Sequence, residues 1–255
     1  SGRVSFKPVP YSVLDTVIVP EGYEAVAFYK WGDPVGLPGN NPEFKKDGSN
    51  SADDQAAQAG MNHDGMAYFP LGEGDEASRH GLLAMNHEYV DNGLLFVDGE
   101  ANWSADKVLK SQNAMGISVI EVMKNDQGEW EVVRPSQYAR RITPHTEMGV
   151  SGPAKGHELF ITAADPTGSK VLGTMQNCAN GKTPWGTYLT CEENWADIFV
   201  KAEGEHNALE KRYGIADSDT AYRWVEFDER FNVDKHPNEV NRFGWVVEID
   251  PEDPT

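Results

Sequence analysis

The residue types best able to do chemistry are concentrated between Asn177 and Trp195. This stretch holds Cys178, Cys191, Glu192, Glu193 and Asn194, and it joins a Gly/Pro-rich loop to a run ending in two carboxylates and an amide. A thiolate among carboxylates is electrostatically unfavourable unless a cation sits between them, and a transition metal makes both ligand types favourable. The same residues also fit a plainer picture of small core cysteines and solvated acids. A second group, Asn86-His87-Glu88-Tyr89, offers amide and carboxylate oxygens suited to calcium and an imidazole suited to a borderline metal. Asn62-His63-Asp64-Gly65 forms a third, lying just before the apolar run Met66–Pro70; Asn and Asp before Gly are also ordinary turn residues.

Something must carry these groups to one place, and the pattern around them is that of strands. Gly81 to Glu88 and Gly186 to Glu193 share a layout in which a glycine opens a strand and a glutamate follows seven residues later. Alternation places Glu88 on the face of Ala84 and Asn86, and Glu193 on the face of Leu189 and Cys191. Further strands are predicted over 66–69, 116–123, 130–133, 158–163, 223–227 and 245–249, with two more near the start over 15–20 and 24–31. Asn125-Asp126-Gln127-Gly128 reads as a hairpin turn. Residues 39–60 read as a long surface loop with a short helical stretch around 53–59, and 196–213 as the one persuasive helix. The class is all-β with decorations, which suits a sandwich or a propeller.

Composition narrows the function. With 41 acidic against 22 basic residues the formal charge is −19, so a nucleic-acid phosphate backbone would be repelled. The acidity serves solubility or the binding of hard cations. No apolar run is long enough to cross a bilayer, and Ser1-Gly2-Arg3 opens no signal peptide. Two cysteines exclude a disulfide framework, though one bridge could form. No Gly-x-Ser-x-Gly elbow, phosphate-cradling Gly-Lys loop or His-Glu-x-x-His helix is present.

Read together, the stretches Val19–Tyr23 with Trp31–Pro34, Asp64–Pro70, Asn86–Tyr89, Asn177–Asn194 and Phe243–Pro251 resemble the PhoX-type alkaline phosphatases along nearly the whole chain. The resemblance implies that residues 1–255 form the N-terminal portion of a single six-bladed β-propeller phosphatase domain. It implies an iron–calcium cluster, Fe(3+) with Ca(2+), at one mouth of the propeller. Cys178 would give its thiolate to iron, and Glu88 and Glu193 would bind through oxygen. Asn62, Asp64 and Glu192 are second-rank candidates, and strand parity keeps Cys191 as a rival to Cys178. No catalytic residue beyond the metal ligands is expected. Further acidic ligands and a phosphate-gripping arginine would come from later in the family's chain.

The activity so implied is hydrolysis of small phosphomonoesters by a monomer, in the periplasm or outside the cell. Positioning and charge stabilisation dominate phosphoryl transfer, which fits the lack of a nucleophile motif. Two other readings predict different metals. A calcium-stiffened, non-catalytic binding propeller would hold no iron. A calcium-only propeller hydrolase, phytase- or lactonase-like, would not need Cys178.

Overall fold

The structure is a computed structural model and describes residues 5–219 and 221–254. Ten strands form three open antiparallel sheets. The largest contains β1 (His63–Pro70), β2 (His80–His87), β3 (Gly116–Lys124), β4 (Trp130–Val132) and β5 (Arg140–Ile142). Its order is β1-β2-β3, and β4 and β5 share the far edge of β3. A short hairpin pairs β6 (Glu147–Gly149) with β7 (Lys170–Leu172). The third sheet runs β8 (Asn177–Lys182), β9 (Tyr188–Glu192), β10 (Val246–Ile249).

β2 and β3 are buried on both faces, so their side chains divide by parity between two cores. Leu82, Ala84, Ile117 and Val119 face Phe69, Tyr188 and Ile249, which packs the large sheet against the β8-β9-β10 sheet. Met85, Ile120 and Val122 face the other way, onto Tyr29, Val35, Ala59 and Ala139. The parity of β2 continues into its last residues. Asn86 therefore points toward the three-stranded sheet, whereas His87 points to the opposite core. A third core gathers Leu95, Met115, Met175, Ile198, Phe199, Trp224, Phe231 and Phe243 beneath the irregular segments.

Among the described residues four α-helices decorate this frame. α1 (Ala52–Ala56) is held by a capping box between Ser51 and Asp54, within the expected loop. α2 (Asn92–Leu95) is a single turn capped by Asp91. α3 (Ala105–Asn113), absent from the sequence expectations, starts at the Ser104 cap and buries Val108, Lys110 and Ser111. The predicted helix over 196–213 is broken. Trp195–Ile198 is a 3₁₀ turn, Val200 bridges Ala216 and Asn232, and only α4 (Ala208–Tyr213) is α-helical, between a capping box at Asn207 and left-handed Gly214. Core packing of Ile198 and Phe199 overrides helical continuity there.

The strands expected over 66–69, 81–86, 116–123, 130–133, 186–190 and 245–249 all form, with small shifts in their ends. Asn125–Gly128 turns β3 into β4 as expected. Residues 15–20 and 24–31 join no sheet among the described residues; they are irregular and mostly exposed, with Tyr29 buried. Residues 158–163 contain instead a 3₁₀ turn, Glu158–Phe160, capped by His157. Residues 223–227 form another, Trp224–Glu226. Asp219 accepts the amides of Ala221, Tyr222 and Arg223 and turns the chain so that Trp224 enters the core.

Candidate metal centre

Two strand irregularities bring the donors together. In β1 against β2, His63 pairs with His87 and Met66 with Met85, so three steps on β1 match two on β2. In β8 against β9, Asn177 pairs with Glu192 and Asn180 with Thr190, again three steps against two. Each strand thus carries a bulge with one extra residue, a device that re-aims a side chain. Asp64 sits in the first bulge and Cys178 in the second. β1 and β8 meet at these two points: a Cβ on Gly65 would come within 2.6 Å of the Cys178 carbonyl oxygen and of the Asn180 amide. Only glycine permits that approach.

The result is a compact donor set. One ligand atom each from Asp64, Glu88 and Cys178 lies within 4.8 Å of the others, and Cys178 Sγ is 3.6 Å from Asp64 Oδ2. Glu88 follows the last residue of β2, where Asn62 fixes it. The Glu88 amide donates to the Asn62 carbonyl at 3.0 Å, and Asn62 Nδ2 donates to the Tyr89 carbonyl at 2.8 Å. Asn62 adopts a left-handed backbone, φ 49°, to do so. Glu193 comes to the same place from the end of β9, its amide donating to the Gln176 carbonyl at 2.9 Å.

The electrostatics of this set call for a cation. The Cys178 thiol is pushed up to about 12 by hydrogen bonding with Glu193, by burial, and by the negative fields of Glu88, Asp64 and Glu193. Glu88 is raised by burial, then by its hydrogen bond with Asp64 and by the Asp64 and Glu193 charges. Among the described residues, no lysine, arginine or histidine forms an ion pair with Asp64, Glu88 or Glu193. A thiol and a carboxylate whose ionisation is opposed by the acidic groups around them become favourable ligands when a multivalent cation supplies the missing charge. Oxygen donors suit calcium and the thiolate suits a transition metal. The residues present therefore fit a metal site.

Other candidates stand elsewhere. Glu192 turns into the protein, accepting from the Thr174 hydroxyl at 2.6 Å and from the Gly244 and Trp245 amides at 2.8 and 3.1 Å. Burial raises it to about 7, and its work is to bind the turn that feeds β10. Cys191 lies on the face of β9 opposite Tyr188 and Thr190, outside the donor set, and both cysteines are free thiols. The imidazoles beside the donors also face inward. His87 Nε2 is 2.6 Å from Ser118 Oγ, and the His63 and His87 rings stack edge to face at 4.7 Å. Burial lowers the pKa of each.

The sequence reading offered Asn86 as an oxygen donor for calcium and missed its buried partners Tyr188 and Thr190. Asn86 donates from Nδ2 to the Cys178 carbonyl at 2.7 Å, and its Oδ1 lies 2.8 Å from both the Tyr188 and the Thr190 hydroxyls. An oxygen so engaged is no calcium ligand. The parity shared by Tyr188, Thr190 and Glu192 was the available signal for a polar face on β9.

Comparison with known proteins agrees with this architecture. The family model for alkaline phosphatase PhoX matches residues 4–255. The chain belongs to the PhoX family. Among solved structures it is similar to Pseudomonas fluorescens PhoX in complex with vanadate, a transition state analogue, at 44% identity and a TM-score of 0.92. That match covers 98% of this chain and 42% of the Pseudomonas chain, so this PhoX-family chain spans about two-fifths of the length of its structural relative. No curated protein sequence matches it.

Proposed function

We propose that this chain is the N-terminal portion of a single six-bladed propeller domain in a metal-dependent alkaline phosphatase that releases inorganic phosphate from small phosphomonoesters. The observation that carries the reading is the convergence of Asp64, Glu88 and Cys178 within 4.8 Å in a chain of PhoX family. The vanadate bound by the Pseudomonas relative, a transition state analogue, supports phosphoryl transfer as the chemistry. Iron(III) and calcium are the proposed metals, with Cys178 on iron and Glu88, Glu193 and Asp64 as oxygen donors. Export from the cytoplasm and a monomeric state complete the proposal. No helix among the described residues is long and apolar enough to cross a membrane.

When bound, such metals supply Lewis acidity and positive charge for phosphate oxygens. The chain's own residues supply placement. Asn62 holds Glu88 through its backbone amide, Gln176 holds Glu193, and the two bulges aim Asp64 and Cys178 at each other. Metal binding through sulfur requires Cys178 to ionise, against the neighbouring carboxylates and the burial that oppose its thiolate. Since these side chains crowd one another, the whole set is poised for a cation before any arrives.

The test is metal analysis of the purified protein together with hydrolysis of p-nitrophenyl phosphate, with and without a calcium chelator. Iron plus calcium and loss of turnover on chelation are expected. Full activity under chelation would overturn the scheme. Calcium without iron, with Cys178→Ser fully active, would assign a calcium-only hydrolase, and metal without hydrolysis a binding module.

A further inference from the structure

We infer that Asn86 and Tyr188 form a clasp that sets the spacing of the two bulges, making them positioning residues for the donor set. The inference rests on the metal-holding reading above. Asn86 is fully buried, and Tyr188 is too. Burying an amide costs free energy unless each polar atom is paired, and here every partner belongs to a donor-bearing segment or to β9. Asn86 Nδ2 donates to the carbonyl of Cys178 itself at 2.7 Å, with the Ala179 carbonyl at 3.5 Å. The Tyr188 hydroxyl shares its single proton between two acceptors, Asn86 Oδ1 at 2.8 Å and the carbonyl of Gly65, next to Asp64, at 2.9 Å. Asn86 stands two residues before Glu88, which follows the end of β2. Two side chains therefore touch the backbone at Cys178 and beside Asp64, and one of them belongs to the strand that leads to Glu88.

The direction of the hydrogen bonds fixes the amide. Asn177 Nδ2 donates to Thr190 Oγ1 at 3.1 Å and to Thr174 Oγ1 at 2.9 Å. The Cys178 carbonyl can only accept, so Asn86 turns Nδ2 to it and leaves Oδ1 to accept from the Thr190 hydroxyl. Thr174 donates in turn to Glu192, which anchors the far end of the chain in the turn before β10. No residue of apolar type could reproduce these links. A bulge loses ladder bonds, so its geometry needs restraint from outside the ladder. The clasp supplies that restraint to both bulges at once.

The two arms can be cut separately. Asn86→Asp keeps an acceptor for Tyr188 and Thr190 but replaces the donor to Cys178 with an oxygen that repels its carbonyl. Tyr188→Phe removes only the hydroxyl that links Asn86 to Gly65. The probe is Co(2+) added to the metal-free protein, read by the near-ultraviolet thiolate-to-cobalt band and its titration. Wild type should show the band and Cys178→Ser should not; absence of the band in wild type would sink the metal-holding reading. Given the band, Tyr188→Phe and Asn86→Asp should each weaken Co(2+) binding about 10–100-fold, as for other residues that orient ligands. Asn86→Asp should also shift the band, since it moves the sulfur. Wild-type affinity and band shape in Tyr188→Phe, measured well below its Tm, would overturn the clasp, even if that Tm has fallen. Should Asn86→Asp not fold, Tyr188→Phe alone decides.

Discussion

Cys178 and Cys191 illustrate how little separates a ligand candidate from a packing residue. They have the same chemistry and lie 13 residues apart, yet only Cys178 faces carboxylates. Substituting Cys178→Ser should remove the bound transition metal, read by elemental analysis and loss of visible absorbance, while Cys191→Ser should retain it. Unchanged metal in Cys178→Ser would reverse the assignment. Gly65 is the second residue on which the site depends. Adding one methyl group against the Cys178 carbonyl forces β1 and β8 apart. Gly65→Ala should therefore weaken Co(2+) binding at least about tenfold and destabilise the fold by about 1–3 kcal/mol, the usual range for overpacking. Denaturant midpoints and cobalt titration check the two effects.

At the scale of elements, the bulges decide which side chains face the donors. β8, Asn177 to Lys182, carries no large apolar side chain and becomes a strand only because β9 pairs with it. Its extra residue breaks the alternation that a sequence pattern assumes, which is why parity could not choose between the two cysteines. Deleting Ala179 should restore regular pairing and rotate Cys178 out of the donor set. The expected result is near-native circular dichroism with loss of the thiolate-to-cobalt band; a retained band would show that the bulge is not what aims the sulfur. The 3₁₀ turns at Glu158–Phe160 and Trp224–Glu226 make the complementary point. Their residues have strand-like composition, but local capping and one buried aromatic each determine the shape.

Over the whole molecule, buried cations join distant segments. Arg141 donates to the carbonyls of Gln55, Gln58, Asn113, Met115 and Ile117, so it ties the ends of α1 and α3 to β3. Burial lowers its pKa to about 10, which still leaves it charged at neutral pH. Arg141→Met should leave five carbonyls without this donor and lower the Tm by several degrees or more, by scanning calorimetry. Arg242 does similar work between segments 77 residues apart, meeting Asp165 at 2.9 Å. Burial alone would raise Asp165, but the Lys170 amide, the Arg242 guanidinium and the Thr167 hydroxyl hold it well below the usual carboxylate range. A depressed carboxylate stabilises the fold above its unfolded pKa, near 3.9, and that contribution falls as pH drops below it. Asp165→Asn should thus cost about 3 kcal/mol at pH 6. The difference from wild type should shrink below about pH 4, and a constant difference down to pH 2.5 in urea titrations would contradict it.

The strand-rich character, most of the central strands, the β3–β4 hairpin and the donor types were legible in residue order, because they depend on alternation, turn residues and ligand chemistry within short windows. Glu88, Cys178, Glu193, Asp64 and Asn62 stood out as candidates from their donor chemistry and from the resemblance to PhoX-type phosphatases. Which of those groups meet was decided by tertiary structure. The bulges at Asp64 and Cys178 exist only when β1 pairs with β2 and β8 with β9. Glu192 turns inward because Thr174 and the Gly244–Trp245 amides, far away in the chain, offer it hydrogen bonds. Residue types carry chemistry, but the distance between two charges in different strands is set by register, and register is a property of pairs.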